Sequence, residues 1–215
     1  MKETYWQKID HIVGPSSIEE FERIGQKETR NAIEQFILAH SDMSTKLLDA
    51  GCNTGVEGWR LFKKNYPGFY LGIDSNIKAI TYALQNLCGF YAAVACSDIE
   101  SISYPDMYFD IVLSKDVIEH ALYYDSILAE LSRLTKRWLI LSMFLKMHDQ
   151  PDIIHLEPQG FYNNRYQRQK LYTFLANRGL ANIKTIFQSA EDEVLVFERE
   201  STELTWNNKD THSFM

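Results

Sequence analysis

Leu47-Leu48-Asp49-Ala50-Gly51-Cys52-Asn53-Thr54-Gly55 is the stretch on which the fold turns. Leu47 and Leu48 form the apolar core of a short strand that ends at Asp49. Val56, Trp59, Phe62 and Tyr66 then recur at helical spacing, and Pro67-Gly68 closes that helix. Between strand and helix lies a turn in which Gly51 and Gly55 let a ligand approach the backbone closely. The start of the helix offers unpaired N–H groups, and open parallel sheets bind ligands at the carboxyl ends of their strands. A cofactor site is therefore expected at this turn. A dinucleotide turn, G-x-G-x-x-G, does not fit. Aligned on Asn53, Gly55 and Gly58 it has Asn at the first glycine, and aligned on Gly51 it has Asn53 at the second. The Asp49 carboxylate is a poor neighbour for a diphosphate and a good one for a cation or an ammonium group.

Working outward, the strand–helix pattern repeats. Residues 69–73 (FYLGI), 90–95 (FYAAVA), 109–113 (FDIVL) and 138–145 read as strands. Ile77, Ile80, Leu84 and Leu87 mark one intervening helix, and Ile127, Leu128, Leu131 and Leu134 another. Alternating elements of this kind give an α/β protein with a largely parallel sheet and right-handed crossovers. The end differs. A helix around 164–177 precedes strands at about 182–188 and 193–199, with only Ser189 to Asp192 between them. That connection suits an antiparallel hairpin and no crossover. The expected fold is a Rossmann-like sheet of seven strands, mostly parallel with one antiparallel strand from the C-terminal hairpin, and helices on both faces. Upstream, Ser16 and Ser17 each precede a Glu by three residues, as in capping boxes, and a helix is expected over much of 17–40. Residues 1–200 read as one domain, 1–40 as its helical N-terminal segment, and 201–215 as a flexible tail.

Composition sets the limits. Of 215 residues, 45% are hydrophobic and 24% charged, which excludes a disordered or low-complexity chain. Twenty-two Lys and Arg against 29 Asp and Glu give a net charge of -7, which argues against a nucleic-acid partner bound through its phosphates. Cys52, Cys88 and Cys96 form no CxxC or Cys/His cluster, so no metal is expected, and they read as reduced thiols of a cytoplasmic protein. Residues 1–20 lack an apolar stretch of signal-peptide type. Trp138 to Leu145, the longest apolar-rich run, is far too short to span a membrane.

Four motifs in order resemble the class I S-adenosylmethionine-dependent methyltransferases. LLDAGCNTG is similar to their first motif, D-x-G-x-G-x-G, with Asn53 in place of the middle glycine. Asn tolerates left-handed backbone, so little damage is expected. GIDSN at 72–76 matches the acidic end of the second strand, and CSDIE at 96–100 the acid after the third. FDIVLSKDVIEH at 109–120 resembles the strand-four motif of the small-molecule, ubiquinone-biosynthesis-like branch. The resemblance implies that Asp49 organises the turn and the methionine moiety, with Gly51, Asn53 and Gly55 against the ligand. It implies that Asp74, followed by Ser75, accepts hydrogen bonds from the ribose. Asp98 would bind the adenine amino group and Ile99 would pack on the ring. Ser114 and Lys115 would lie beside the methionine moiety. The cofactor implied is S-adenosyl-L-methionine, with S-adenosyl-L-homocysteine as product.

Methyl transfer from a sulfonium is an in-line displacement in which alignment does most of the work. A base is needed only for a poor nucleophile such as an alcohol or phenol. His120 ends the KDVIEH segment, and His155 lies in the long connection 146–166; each is a candidate base, and the position of that connection favours His155. Glu119, Tyr162, Asn163, Asn164 and Arg165 are candidates for holding the acceptor, and Tyr5 and Trp6 for closing over the cofactor. The expected acceptor is an oxygen or nitrogen of a small molecule. A macromolecular acceptor reached through a partner, or a non-catalytic cofactor-binding protein, stands as the alternative.

Overall fold

The structure is a computed structural model that describes residues 5–8, 20 and 28–200. The expected segment 17–27 lies outside the described residues apart from Glu20, as does the 201–215 tail. Six α-helices are described: α1 (Tyr5–Lys8), α2 (Glu28–Ala39), α3 (Val56–Lys63), α4 (Ile77–Asn86), α5 (Asp125–Leu134) and α6 (Arg168–Ala176). The strands are β1 (Lys46–Ala50), β2 (Phe69–Asp74), β3 (Ala92–Cys96), β4 (Phe109–Lys115), β5 (Thr135–Met143), β6 (Leu180–Gln188) and β7 (Glu193–Arg199). They form one sheet in the order β3-β2-β1-β4-β5-β7-β6. β7 is antiparallel to both of its neighbours, and the other pairings are parallel.

Alternation along the strands splits the core into two layers, because successive side chains leave opposite faces. Leu48, Ala50, Leu71, Ile73, Val112 and Leu139 face α5 and α6, which supply Leu128, Leu131, Leu171 and Leu175. Leu47, Tyr70, Ile111, Leu113 and Ile140 face the other way, against Ile33, Phe36 and Ile37 of α2 and Leu61 of α3. Strand order reverses between β1 and β4, and in open sheets the carboxyl ends at such a reversal are where a ligand crevice forms.

Several boundaries differ from the sequence expectation, each for a local reason. β5 begins three residues early, at Thr135, directly after α5; the Thr135 hydroxyl donates to Leu131 O at 2.7 Å and closes the helix without a loop. β3 starts at Ala92, because Phe90 stacks on Phe62 at 4.8 Å. The helix expected from 164 starts at Arg168, because Asn164 and Tyr166 belong to an extended arm. That arm folds back on itself through the bridges Ile153–Arg165 and Leu156–Tyr162. No helix among the described residues is long and apolar enough to cross a membrane.

Candidate active site

The glycine turn sits at the carboxyl end of β1, against the start of β2's own turn. Gly51 and Cys52 donate N–H bonds to Ile73 O at 2.7 and 2.9 Å, which pins the turn to the neighbouring strand. Gly51 has φ 87° and Gly55 φ 75°. A Cβ on Gly51 would collide with the Val117 side chain. Asn53 stands at φ 49°, the left-handed backbone expected of it.

Two acids flank this turn, and each is held differently. Asp49 is only 1% exposed, and the Tyr70 hydroxyl donates to its Oδ2 at 2.6 Å. Burial pushes the Asp49 carboxyl up to about 7; the Tyr70 hydrogen bond works against that shift, and nearby Glu57 and Asp74 add to it. Asp74 ends β2. Its Oδ2 accepts from Asn53 N at 2.9 Å and its Oδ1 from Asn76 N at 2.8 Å. Burial raises its carboxyl, while these backbone donors restrain the rise. Asp74 thus ties the glycine turn to the next loop, a bracing role that the motif alone did not reveal. Ser75 follows it, and Asn76 caps α4 through Lys78 N and Ala79 N.

Beyond β3, the Asp98 carboxylate accepts from Glu100 N at 3.0 Å in a local turn. Ile99 is partly buried against the core. At the end of β4, the Ser114 Oγ is buried and has no hydrogen-bond partner among the described residues. The Lys115 ammonium is almost buried and pairs with Asp116, which stands at φ 56°.

The two histidines diverge. His120 closes a short 3-10 turn, Ile118–His120, and its ring packs against Trp6 at 4.7 Å, Phe144 at 5.4 Å and Phe161 at 5.9 Å. Its Nδ1 lies 2.8 Å from Tyr162 O. A carbonyl can only accept, so Nδ1 carries the proton and Nε2 keeps a free lone pair. Burial holds the imidazole pKa below its usual value, so the ring is neutral near pH 7. His155 sits on the outer side of the arm. Its side chain is 60% exposed, and its Nε2 lies 3.6 Å from Glu157 Oε2. The position that favoured His155 as base is a surface one, and His120 is the histidine enclosed among rings.

Of the acceptor-side candidates, Glu119 and Asn164 are fully buried and act as braces. Asn164 Nδ2 donates to Ala121 O at 2.6 Å, and its Oδ1 accepts from His155 N at 2.9 Å. The Tyr166 hydroxyl donates to Ala121 O at 2.7 Å. Together they clamp the arm onto the turn that carries His120. Glu119 Oε1 accepts from Phe144 N at 2.9 Å, while Oε2 has no partner among the described residues. Burial and the nearby Asp116 charge push this carboxyl up to about 8. Asn163 donates to Glu157, and Arg165 is exposed. Sequence reasoning passed over Tyr70 and Asp116. Tyr70 read as an ordinary strand residue, although a tyrosine in an apolar strand signals a buried hydroxyl that needs a partner.

Residues 41–193 match the family model described as a methyltransferase domain. The chain belongs to this methyltransferase-domain family. The family's methyl donor is S-adenosylmethionine, in agreement with the motif resemblance. A phosphoethanolamine N-methyltransferase of Triticum aestivum is 36% identical over 77 residues, 35% of this chain and 15% of that protein. The chain therefore matches only a minor part of the length of that relative. Magnesium protoporphyrin IX methyltransferase of Synechocystis PCC 6803, solved with bound S-adenosylmethionine, superposes with a TM-score of 0.62. It shares 17% identity, over 91% of this chain and 90% of that one. A Burkholderia thailandensis 1,6-didemethyltoxoflavin-N1-methyltransferase gives a TM-score of 0.64 at 13% identity, over 85% and 83% of the two chains. At such identities these structures speak to the fold. The residues of the crevice fit the donor on their own chemistry. Ser114 Oγ is a buried orphan beside the crevice, and the buried Asp49 carboxylate is bonded by Tyr70 at Oδ2. The Gly51 backbone leaves no room for a side chain of its own.

Proposed function

We propose that the chain transfers the methyl group of S-adenosylmethionine to an oxygen or nitrogen of a small-molecule acceptor, as a cytoplasmic enzyme that works without nucleic acid. The observation that carries this reading is the His120 box: a neutral imidazole with its Nδ1 proton fixed on Tyr162 O, walled by Trp6, Phe144 and Phe161. The donor supplies an activated methyl group when bound. Asp49, Gly51, Asn53, Gly55, Asp74, Ser75, Asp98, Ile99, Ser114 and Lys115 are the residues proposed to hold it. The rings around His120 exclude water, and its Nε2 lone pair accepts the proton that a hydroxyl or ammonium acceptor must lose. His120 takes this role in preference to His155, which faces solvent. The small-molecule methyltransferases among the similar proteins support an acceptor of that size.

The test is transfer of a labelled methyl group to a panel of amino alcohols, their phosphate esters and phenols. One class should be methylated, and His120→Ala should lower its turnover by about 10²–10⁴-fold with cofactor saturating. His155→Ala should leave turnover within about twofold. Tight cofactor binding with no transfer to any acceptor would replace this reading with a non-catalytic one.

A further inference from the structure

We infer that Tyr70 is a positioning residue for cofactor binding: its hydroxyl fixes one oxygen of Asp49 so that the other is presented to the cationic end of the ligand. This rests on the reading of the glycine turn as the S-adenosylmethionine site. Tyr70 lies in β2, 0% exposed, in the same layer as Leu47. Asp49 pairs in register with Gly72, two residues beyond Tyr70, so the tyrosine oxygen reaches diagonally across the sheet to Oδ2. Its bond of 2.6 Å lies in the buried interior and is charge-assisted whenever Asp49 is ionised.

The surroundings are built around this ring. A Cβ on Gly58, in α3, would stand 2.6 Å from Tyr70 Cζ. A Cβ on Gly72 would stand 3.1 Å from Tyr70 Cε1 and 2.8 Å from Cys52 Sγ. Neither glycine has a left-handed backbone to explain it. Two glycines outside the turn motif therefore make room for one tyrosine whose polar atom touches the motif's acid. Apolar packing alone would be served by a branched aliphatic residue, with no hydroxyl to satisfy.

The charges around Asp49 give the device a consequence. Glu57 from α3 and Asp74 from the end of β2 face it as acids, Cys52 lies on the turn, and Lys115 from β4 is the cation, already paired with Asp116. The Tyr70 hydroxyl is the neutral donor that favours the ionised carboxylate here, so its removal shifts Asp49 toward the protonated form. A protonated Asp49 loses its attraction for an ammonium or sulfonium group.

The experiment compares the wild type and Tyr70→Phe by calorimetric titration with S-adenosylhomocysteine at about pH 6.5 and about pH 8.5. Tyr70→Phe keeps the ring that Gly58 accommodates and removes only the oxygen. Its affinity should fall about tenfold at the lower pH and by less than about threefold at the higher, because Asp49 is ionised there in both proteins. In an Asp49→Asn background the same substitution should cost nothing further. Equal affinity of wild type and Tyr70→Phe at both pH values would overturn the inference. So would an equal loss at both that persists in the Asp49→Asn background, since it would mean packing alone. A wild type that binds no S-adenosylhomocysteine would instead refute the cofactor reading beneath it.

Discussion

Glu119→Gln should stabilise the protein near neutral pH and leave it unchanged in mild acid. Glu119 is 0% exposed, so solvent does not screen it, and its carboxyl is raised from 4.5 to about 8. An unfolded glutamate ionises near 4.5, whereas the folded one keeps its proton until about 8. Between these values the unfolded state binds fewer protons, so unfolding becomes easier as pH rises; below the lower value no cost exists, and above the upper one it levels off. Each unit is worth about 1.4 kcal/mol, so the folded state loses roughly 3 kcal/mol by pH 7. Gln retains the oxygen that accepts from Phe144 N. Its amide places a donor where Oε2 has no partner, but the protonated acid has an O–H to place as well, so the two nearly cancel. The expected gain is about 4 kcal/mol at pH 7.5 and about zero at pH 4. Urea unfolding followed by tryptophan fluorescence at both pH values measures it. The raised Asp49 is common to both proteins and drops out of the difference. A loss at pH 7.5, or the same gain at both pH values, would refute the reasoning.

Three further outcomes are expected. Gly58→Ala would stabilise an ordinary helix by about 1 kcal/mol; here contact with the Tyr70 ring should reverse the sign to a loss of about 1–3 kcal/mol, read from denaturant midpoints. Gly51→Ala adds a side chain at φ 87° against Val117, and should cost about 2–4 kcal/mol and weaken cofactor binding; Val117→Ala should recover part of the stability. Nitrogen-15 shifts of His120 should report the Nδ1–H tautomer and a pKa below 6.5, so turnover should hold down to a lower pH than for an exposed histidine. A doubly protonated ring at pH 7 would remove it as a base.

What was legible in the sequence followed from local pattern. The period of apolar residues marked each strand and helix, and four residues between 188 and 193 forced the hairpin that makes β7 antiparallel. The motif residues Asp49, Gly51, Asn53, Gly55 and Asp74 do gather at one sheet edge, because β1 and β2 are parallel neighbours whose carboxyl ends lie side by side. Contacts between distant residues were not legible. Asp74 reaches Asn53 N, 21 residues away, and Tyr70 reaches Asp49 across the same interval; both depend on the register of β1 with β2. The surroundings of the two histidines were not legible for a similar reason. The bridges that fold the arm back turn His155 outward, while Trp6 and Phe161 close over His120. The polar character of Asn164 suggested an acceptor contact, but a buried amide serves equally to satisfy the backbone of a turn, and here it does so at Ala121.

The central claim is that this turn binds a sulfonium cofactor rather than a dinucleotide, and calorimetric titration of the wild-type protein tests it most directly. S-Adenosylmethionine and its demethylated product should each bind at one site per chain, and NAD should give no heat of binding at the same concentrations. Comparable binding of NAD, with no response to either sulfur ligand, would contradict it.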